Sequence, residues 1–231
     1  MRNRGGYVSY RHSHYRHPQV LRLPVDGGLI ELIGVHLKSK YNRETALGDH
    51  PEVKGLKAIK ADYIDTAVLA RIKLATEAVD VRHFIEARFA EADTAGQSEP
   101  AIMVMGDFND GPGKEVFERQ FLFFDLLSVL QGDVTFARRF LNHALFDFDE
   151  ANRWTYELDK DDPVDPGRNR KILLDHILFS QSLVNGTGPA SISSGAGKVE
   201  RTVHEQVNLG IFDDETKRAS DHRPVSVTVT L

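Results

Sequence analysis

Three residues with metal- and phosphate-binding side chains directly follow a short apolar run. Residues 101–105 read Ala-Ile-Met-Val-Met, which is typical of a strand buried on both faces, and residues 106–111 read Gly-Asp-Phe-Asn-Asp-Gly. If the strand continues, Asp107 and Asn109 point the same way, because side chains alternate along a strand. A carboxylate can hold a cation or polarise a water, and a carboxamide can donate to a phosphate oxygen. The pattern indicates either a metal-assisted phosphate site, with Gly106 and Gly111 allowing close approach of backbone or ligand, or an Asx-rich turn.

Two Asp-His pairs lie farther along the chain. Asp221 and His222 precede the alternating tail Val-Ser-Val-Thr-Val-Thr-Leu at 225–231, which predicts a half-buried strand. Asp175 and His176 interrupt an apolar run, where a carboxylate is costly unless it is paired. A histidine can take a proton from water at neutral pH, so we expect Asp175 to orient His222. A purely structural Asp-His pair is the alternative.

A further histidine, His36, ends the apolar run Leu-Ile-Gly-Val at 32–35, with Lys38 and Lys40 behind it. A lone histidine at a strand end is more often structural than catalytic. The two lysines nevertheless favour a contact with phosphate at this position.

Four segments in this order resemble the motifs of the endonuclease/exonuclease/phosphatase superfamily. They are Gly-Val-His-Leu-Lys-Ser (34–39), Met-Gly-Asp-Phe-Asn-Asp (105–110), Leu-Leu-Asp-His-Ile-Leu (173–178) and Ser-Asp-His-Arg-Pro-Val (220–225). Arg153-Trp154-Thr155-Tyr156 also resembles the short aromatic motif that precedes the third segment in that superfamily. The resemblance implies a four-layer α/β/β/α sandwich of the deoxyribonuclease I-like type and a metal-dependent phosphoester hydrolase, most simply a nuclease.

The resemblance also implies roles for the polar residues. Asp107 and Asp221 are expected metal ligands, and Asp107 would polarise the attacking water or steady the leaving oxygen. His222 would act as general base or stabilise the phosphorane, and Asp175 would orient it. The ion would be Mg²⁺, or Mn²⁺ in vitro, which agrees with oxygen ligands in a chain without cysteine.

Substrate contacts are expected from a second set of residues. By the same resemblance, Asn109 would contact the phosphate, and His36 would bind phosphate or assist the leaving group. Lys38 lies close to His36 in the sequence, and Arg170 precedes the Asp175 strand, so both are candidate phosphate contacts.

The chain departs from the superfamily pattern upstream of residue 36. Superfamily members carry an asparagine after the first strand and a metal-binding glutamate after a later one, and residues 1–35 contain neither motif; Asn3 and Glu31 are in the wrong places. We therefore expect a single domain over residues 1–231 that lacks the first strands, is prone to aggregate and has little activity. A binding fragment, or a phosphatase or phospholipid phosphodiesterase of the same superfamily, is an alternative. If the chain is active, Glu31 or Asp26 is expected to complete the site.

Composition and net charge limit the kinds of partner that the chain is expected to bind. The 231 residues suffice for one core, and the net charge of −5 argues against coating nucleic acid by bulk charge, although a nuclease needs only a local basic patch. Residues 1–22 are basic and aromatic, which indicates either a nucleic-acid contact or an ordinary strand and loop. No apolar run is long enough for a membrane span and no signal region follows Met1, so the localisation and oligomeric state stay open.

The elements that must position these residues can be outlined. A helix is predicted from about Leu56 to Ala92, with an apolar stripe packed on a sheet. The stripe consists of Ile64, Val68, Ile72, Ala75, Val79, Ile85 and Phe89. Residues 114–146 are rich in Phe and Leu and predict buried helix and strand, whereas residues 159–170 predict a loop.

Overall fold

The computed structural model describes residues 13–39, 61–111, 126–158, 170–208 and 219–231, with side chains of the long helix described from residue 69. The strands are β1 (Gln19–Val25), β2 (Gly28–His36), β3 (Ala101–Asp107), β4 (Asn142–His143), β5 (Tyr156–Glu157), β6 (Lys171–Ile172), β7 (Asp175–Phe179), β8 (Gly197–Val199) and β9 (Val225–Val227). The α-helices are α1 (Ala61–Ala95), α2 (Leu126–Gln131) and α3 (Arg201–Val207). Short 3₁₀ turns cover Val134–Arg139, Glu150–Asn152 and Gln181–Leu183.

A five-stranded sheet in the order β1-β2-β3-β7-β4 organises these elements. Its central strand β3 is parallel to β2 and antiparallel to β7. The first four residues of β3 are buried, as predicted for a strand covered on both faces. Two ribbons, β5-β6 and β8-β9, complete the described strands. This sheet brings three of the four sequence motifs to neighbouring strand ends.

Each face of the sheet has its own apolar core. On one face α1 and α2 pack against Ile33, Val104 and Leu178. On the other face Met103 and Ile177 pack with residues of the β8-β9 ribbon. The fold is thus mixed α/β with a multi-stranded sheet and several helices, as expected, and it is consistent with the deoxyribonuclease I-like fold. The four-layer order itself stays a prediction.

The long helix is present, but part of the predicted stripe is wrong. Residues 61–95 are helical, while residues 56–60 lie outside the described part of the chain. Ile85 and Phe89 are buried as predicted, whereas Ile72 is 54% exposed. The buried stripe instead consists of Ala70, Leu74, Ala78, Val81, Ile85, Phe89 and Ala92. Small alanines at the buried positions allow the helix to lie close to the sheet, so hydrophobicity alone misplaces the stripe at Ile72. The predicted members Ile64 and Val68 lie before the described side chains.

Several other expectations can be followed in the structure. The tail forms β9, with Val225 and Val227 partly buried, and Thr230 bridges to Ser191 beyond it. The phenylalanine-rich residues 117–124, the loop 159–169 and Lys40 lie outside the described residues. Among the described helices, none has the length and apolar character needed to cross a bilayer.

Candidate active site

Three of the predicted site residues occupy one row across the sheet. His36 ends β2 and is the register partner of Asp107 on β3, and Asp107 is in turn the partner of Asp175 on β7. Register partners on adjacent strands project from the same face, so the three side chains lie side by side. His36 Nε2 is 3.2 Å from Asp107 Oδ2.

His222 joins this row from the loop before β9. Its Nδ1 lies 2.7 Å from Asp175 Oδ2, which is a short, charge-assisted hydrogen bond when Asp175 is ionised. The backbone N–H of His222 donates to Ser220 Oγ at 3.0 Å, and the Tyr156 ring lies 5.0 Å from the imidazole, centroid to centroid. The structure therefore brings His36, Asp107, Asp175 and His222 together, as the motifs predicted.

The segment after Asp107 turns rather than continuing as a strand. Asn109 has φ 54°, in the left-handed region, and its backbone N–H donates to Asp107 Oδ1 at 2.7 Å. Its Nδ2 donates to Leu37 O at 2.8 Å and to Asp107 Oδ2 at 3.0 Å. β3 ends at Asp107, so the condition that the strand continues through Asn109 is not met, and Asn109 meets Asp107 through an Asx turn instead. Both amide protons of Asn109 position the site here, so its expected phosphate contact stays a prediction.

Two glycines allow the backbone to close around this turn. A Cβ on Gly106, which has φ 135°, would lie 1.9 Å from the Val35 carbonyl oxygen. A Cβ on Gly111 would lie 1.9 Å from the Leu173 carbonyl oxygen. The close approach that the sequence predicted at both glycines is therefore an approach of backbone.

Thr155 fixes the entry to β7. It is fully buried, and its Oγ1 accepts the N–H groups of Leu174 (3.0 Å) and Asp175 (3.1 Å). Its carbonyl accepts the N–H of Arg223 at 2.8 Å. One residue of the aromatic motif therefore holds both Asp175 and the loop that carries His222.

A cation–π stack supports the same loop. The Arg223 guanidinium lies 3.2 Å from the centroid of Trp154, and the Lys171 ammonium lies 4.8 Å from it. Burial lowers the pKa of Arg223, and the neighbouring charge of Arg201 acts in the same direction. The stack gives a buried cation a partner beside the site.

Burial and neighbouring charges shift the pKa values of Asp107 and His222. Burial raises the pKa of Asp107, and the charge of Asp175 raises it further, against the effects of the Asn109 N–H, His222 and His36. Burial tends to lower the pKa of His222, but the hydrogen bond to Asp175 and the charges of Asp175, Asp107 and Asp221 together raise it. Two adjacent carboxylates thus create a local excess of negative charge.

This charge suits a hard cation. Within the described residues, the group that could hold a metal consists of Asp107, Asp175 and His222, whose ligand atoms all lie within 4.8 Å of one another. Two carboxylates fit Mg²⁺ or Mn²⁺, and a cation between them would relieve the repulsion that raises the pKa of Asp107. Asp221 is exposed and outside this group, so its expected role as a metal ligand stays a prediction.

A buried pair of hydrogen-bonded histidines supports the turn that carries Asn109. His143 Nδ1 accepts the N–H of Leu145 (3.1 Å), so in the neutral ring its Nε2 carries the proton and donates to His176 Nδ1 (2.8 Å). His176 Nε2 is then the protonated nitrogen and donates to the carbonyl of Asp110 at 2.7 Å. The chain of hydrogen bonds ends on the turn that carries Asn109. Sequence reasoning missed His143, because nothing in its local pattern distinguishes it.

The remaining candidate residues, Lys38, Arg170, Glu31 and Asp26, are described by their own contacts and positions. The ammonium of Lys38 donates to Ser39 O at 2.8 Å, and Arg170 Nε donates to Leu158 O at 2.6 Å on the β5-β6 ribbon. Their phosphate contacts stay predictions. Glu31 is buried between Arg88 (2.8 Å) and Arg22 (3.1 Å). Asp26 lies in the turn at the start of β2, whose far end carries His36. Neither acid completes the row.

One protein-family model matches most of the chain. Residues 9–222 match the sequence model of the endonuclease/exonuclease/phosphatase family, a span that contains all four residues of the site. A search of curated proteins finds no significant match.

Proposed function

The chain belongs to the endonuclease/exonuclease/phosphatase family, and on this premise we propose that it is a magnesium-dependent nuclease that hydrolyses phosphodiester bonds. Membership supports a metal-dependent phosphoester hydrolase in general terms. The observation that carries the proposal is the row His36–Asp107–Asp175 with His222 bonded to its last member.

His222 is the proton acceptor in this proposal. With Nδ1–H donated to Asp175, the neutral ring keeps Nε2 as its basic nitrogen. A water that attacks phosphorus gives its proton to Nε2 as the new P–O bond forms. The P–O bond to the leaving oxygen then breaks, that oxygen takes up a proton from solvent water, and the imidazolium of His222 returns its proton to solvent. The Asp175 carboxylate stabilises the imidazolium, as in other base–orienter pairs.

Asp107 and His36 act on the other side of the phosphorus. His36 is half-exposed beside Asp107, so it can donate a hydrogen bond to a phosphate oxygen or to the leaving oxygen. The carboxylates of Asp107 and Asp175 would hold the divalent cation, with Asp221 as a further candidate. When bound, that cation would supply charge neutralisation and Lewis-acid stabilisation at the phosphate oxygens.

Nucleic acid is the proposed substrate for two reasons. Motifs of the kind by which inositol phosphatases and sphingomyelinases of this superfamily read their substrates are not found in the sequence. In addition, cationic side chains cluster around the exit of β2, next to His36. A polyanion would gain affinity from such a cluster in a salt-dependent manner.

Substrate profiling with a matched variant tests this proposal. We expect slow but measurable cleavage of single-stranded DNA or plasmid in Mg²⁺, at rates that fall with salt, and its loss in Asp107→Ala. Asp147→Ala is the control, since Asp147 is an exposed carboxylate that accepts a hydrogen bond from Ser194 in the turn before β8 and makes no described contact with the row. Turnover of an inositol phosphate or a phospholipid without cleavage of DNA or RNA would reject the nuclease proposal and leave the family assignment intact.

A further inference from the structure

An exposed tyrosine lies among three cations next to the site. The Tyr15 side chain is 62% exposed. The Arg16 guanidinium is 4.9 Å from the ring centroid, the Lys73 ammonium 5.6 Å and the Lys38 ammonium 6.0 Å. All three lie within the range of cation–π attraction, and they come from three separate segments of the chain. We call this group the Tyr15 platform.

A buried carboxylate assembles the platform. Glu77 on α1 is fully buried, and it accepts the backbone N–H of Tyr15 (2.8 Å) and the backbone N–H of Lys38 (2.6 Å). Lys73 lies four residues earlier on α1 and therefore projects from the same side of the helix. Glu77 thus ties the segment before β1 and the segment after β2 to the helix that carries Lys73.

Positive charge predominates among the described groups that contact the platform, since three cations surround the ring and Glu77 is the carboxylate that binds its segments. Burial lowers the pKa of Lys38, Glu77 raises it, and the charges of Lys73 and Arg16 lower it again. The mutual effect of the three cations agrees with their geometry, and a bound anion would relieve it.

The platform continues directly into the site. Leu37, between His36 and Lys38, donates its N–H to Asp107 O at 3.0 Å and accepts from Asn109 Nδ2 at 2.8 Å. The backbone that leaves the row of site residues at His36 therefore enters the platform at Lys38. The platform and the row are thus joined through three consecutive residues, His36, Leu37 and Lys38, and this short link places the Lys38 end of the platform beside the His36 end of the row.

We propose that the Tyr15 platform binds single-stranded nucleic acid beside the scissile phosphate. This rests on the proposed nuclease function. An unpaired base stacks on the Tyr15 ring, and the adjacent phosphates pair with Arg16, Lys38 and Lys73. A duplex keeps its bases paired and would leave the exposed ring unused, and a phospholipid headgroup would likewise engage only the cations.

Binding measured in chelator separates the platform from hydrolysis. The probes are a fluorescent twelve-nucleotide oligodeoxythymidine and an abasic deoxyribose-phosphate oligomer of the same length. We expect Tyr15→Leu to weaken binding of oligodeoxythymidine about tenfold and to leave the abasic oligomer unchanged, because the ring acts on bases. Lys73→Gln should weaken both probes and reduce the slope of log affinity against log salt by about 0.7, as for one lost contact to a single strand.

Matched controls and contrary results complete the test. Phe136→Leu removes another exposed ring, 66% exposed on the 3₁₀ turn Val134–Arg139, and Lys198→Gln removes an exposed lysine of β8; both should bind like the parent. Equal loss for both probes in Tyr15→Leu, or binding of anionic phospholipid vesicles but of neither oligomer, would overturn the platform. Probe binding as expected without cleavage in Mg²⁺ would instead reject the proposed function and keep the platform.

Discussion

Acidification should destabilise the protein through His143. This side chain is buried, and both of its ring nitrogens are committed in the neutral form, Nδ1 as acceptor from Leu145 and Nε2 as donor to His176. Burial, together with the charges of His176 and Arg153, lowers the pKa of His143 to about 2. Protonation would place a charge in the core and turn the accepting Nδ1 into a donor aimed at another donor.

The sign and size of the effect follow from linkage. The pKa of His143 in the folded state lies below the ordinary value of 6.5, so only the unfolded chain takes up this proton between pH 6.5 and 2. The stability is therefore fully present above pH 6.5 and is lost as the pH falls. Between pH 7 and pH 5, this single group costs about 2 kcal/mol of unfolding free energy.

Chemical denaturation at pH 7 and at pH 5 measures this loss. Other groups also titrate, so the useful quantity is the difference between the parent and His143→Gln, which removes the titration. We expect the stability of His143→Gln to change by about 2 kcal/mol less between the two pH values than that of the parent. His83→Gln is the control, because His83 is exposed on α1 and should leave the parent's pH dependence intact. If His143→Gln and the parent lose the same stability, the neutral, buried His143 is the wrong explanation.

The other predictions concern the site and its surroundings. His222→Ala should lower turnover by about 10²–10⁴ while the thermal unfolding midpoint stays near that of the parent; a rate within a few-fold of the parent would remove it as the base. Asp175→Asn should also slow turnover, since the base loses its orienting carboxylate. The pH at which the rate rises, which follows the titration of His222, should differ from that of the parent. Excess chelator should silence hydrolysis until Mg²⁺ or Mn²⁺ is restored, and undiminished turnover would exclude the metal mechanism. Glu31→Gln should cost about 1–3 kcal/mol of stability but leave metal dependence unchanged, since Glu31 holds Arg88 and Arg22.

The sequence is most informative where polar side chains interrupt an apolar run. Asp107 and Asp175 stand out because carboxylates are costly in buried strands, and the structure brings them together on neighbouring strands. The contact between Asp175 and His222 was inferred from the same cost and from the resemblance, and it is present at 2.7 Å. The roles of these residues and the single-domain extent of the chain stay predictions.

The hydrogen bonds that support the site residues cannot be predicted from the local sequence. His143 and His176 are 33 residues apart, and Glu77 reaches Lys38 across 39 residues. Hydrogen bonds of this kind depend on tertiary placement and leave no period in the sequence. The turn at Asn109 agrees with the Asx-rich alternative that the sequence offers, since Asx residues favour turns and left-handed backbone.

The register that aligns His36, Asp107 and Asp175 makes the site sensitive to chain length as well as to residue type. Inserting one residue inside β7 would turn Asp175 toward the opposite face of the sheet, because the side-chain period of a strand is two. The same insertion in the turn between β1 and β2 would leave the row unchanged. Natural variation in length should therefore accumulate at that turn and be excluded from β3 and β7. A sequence that keeps every site residue but shifts one of these strands by a single position would fold with its carboxylates on opposite sides of the sheet.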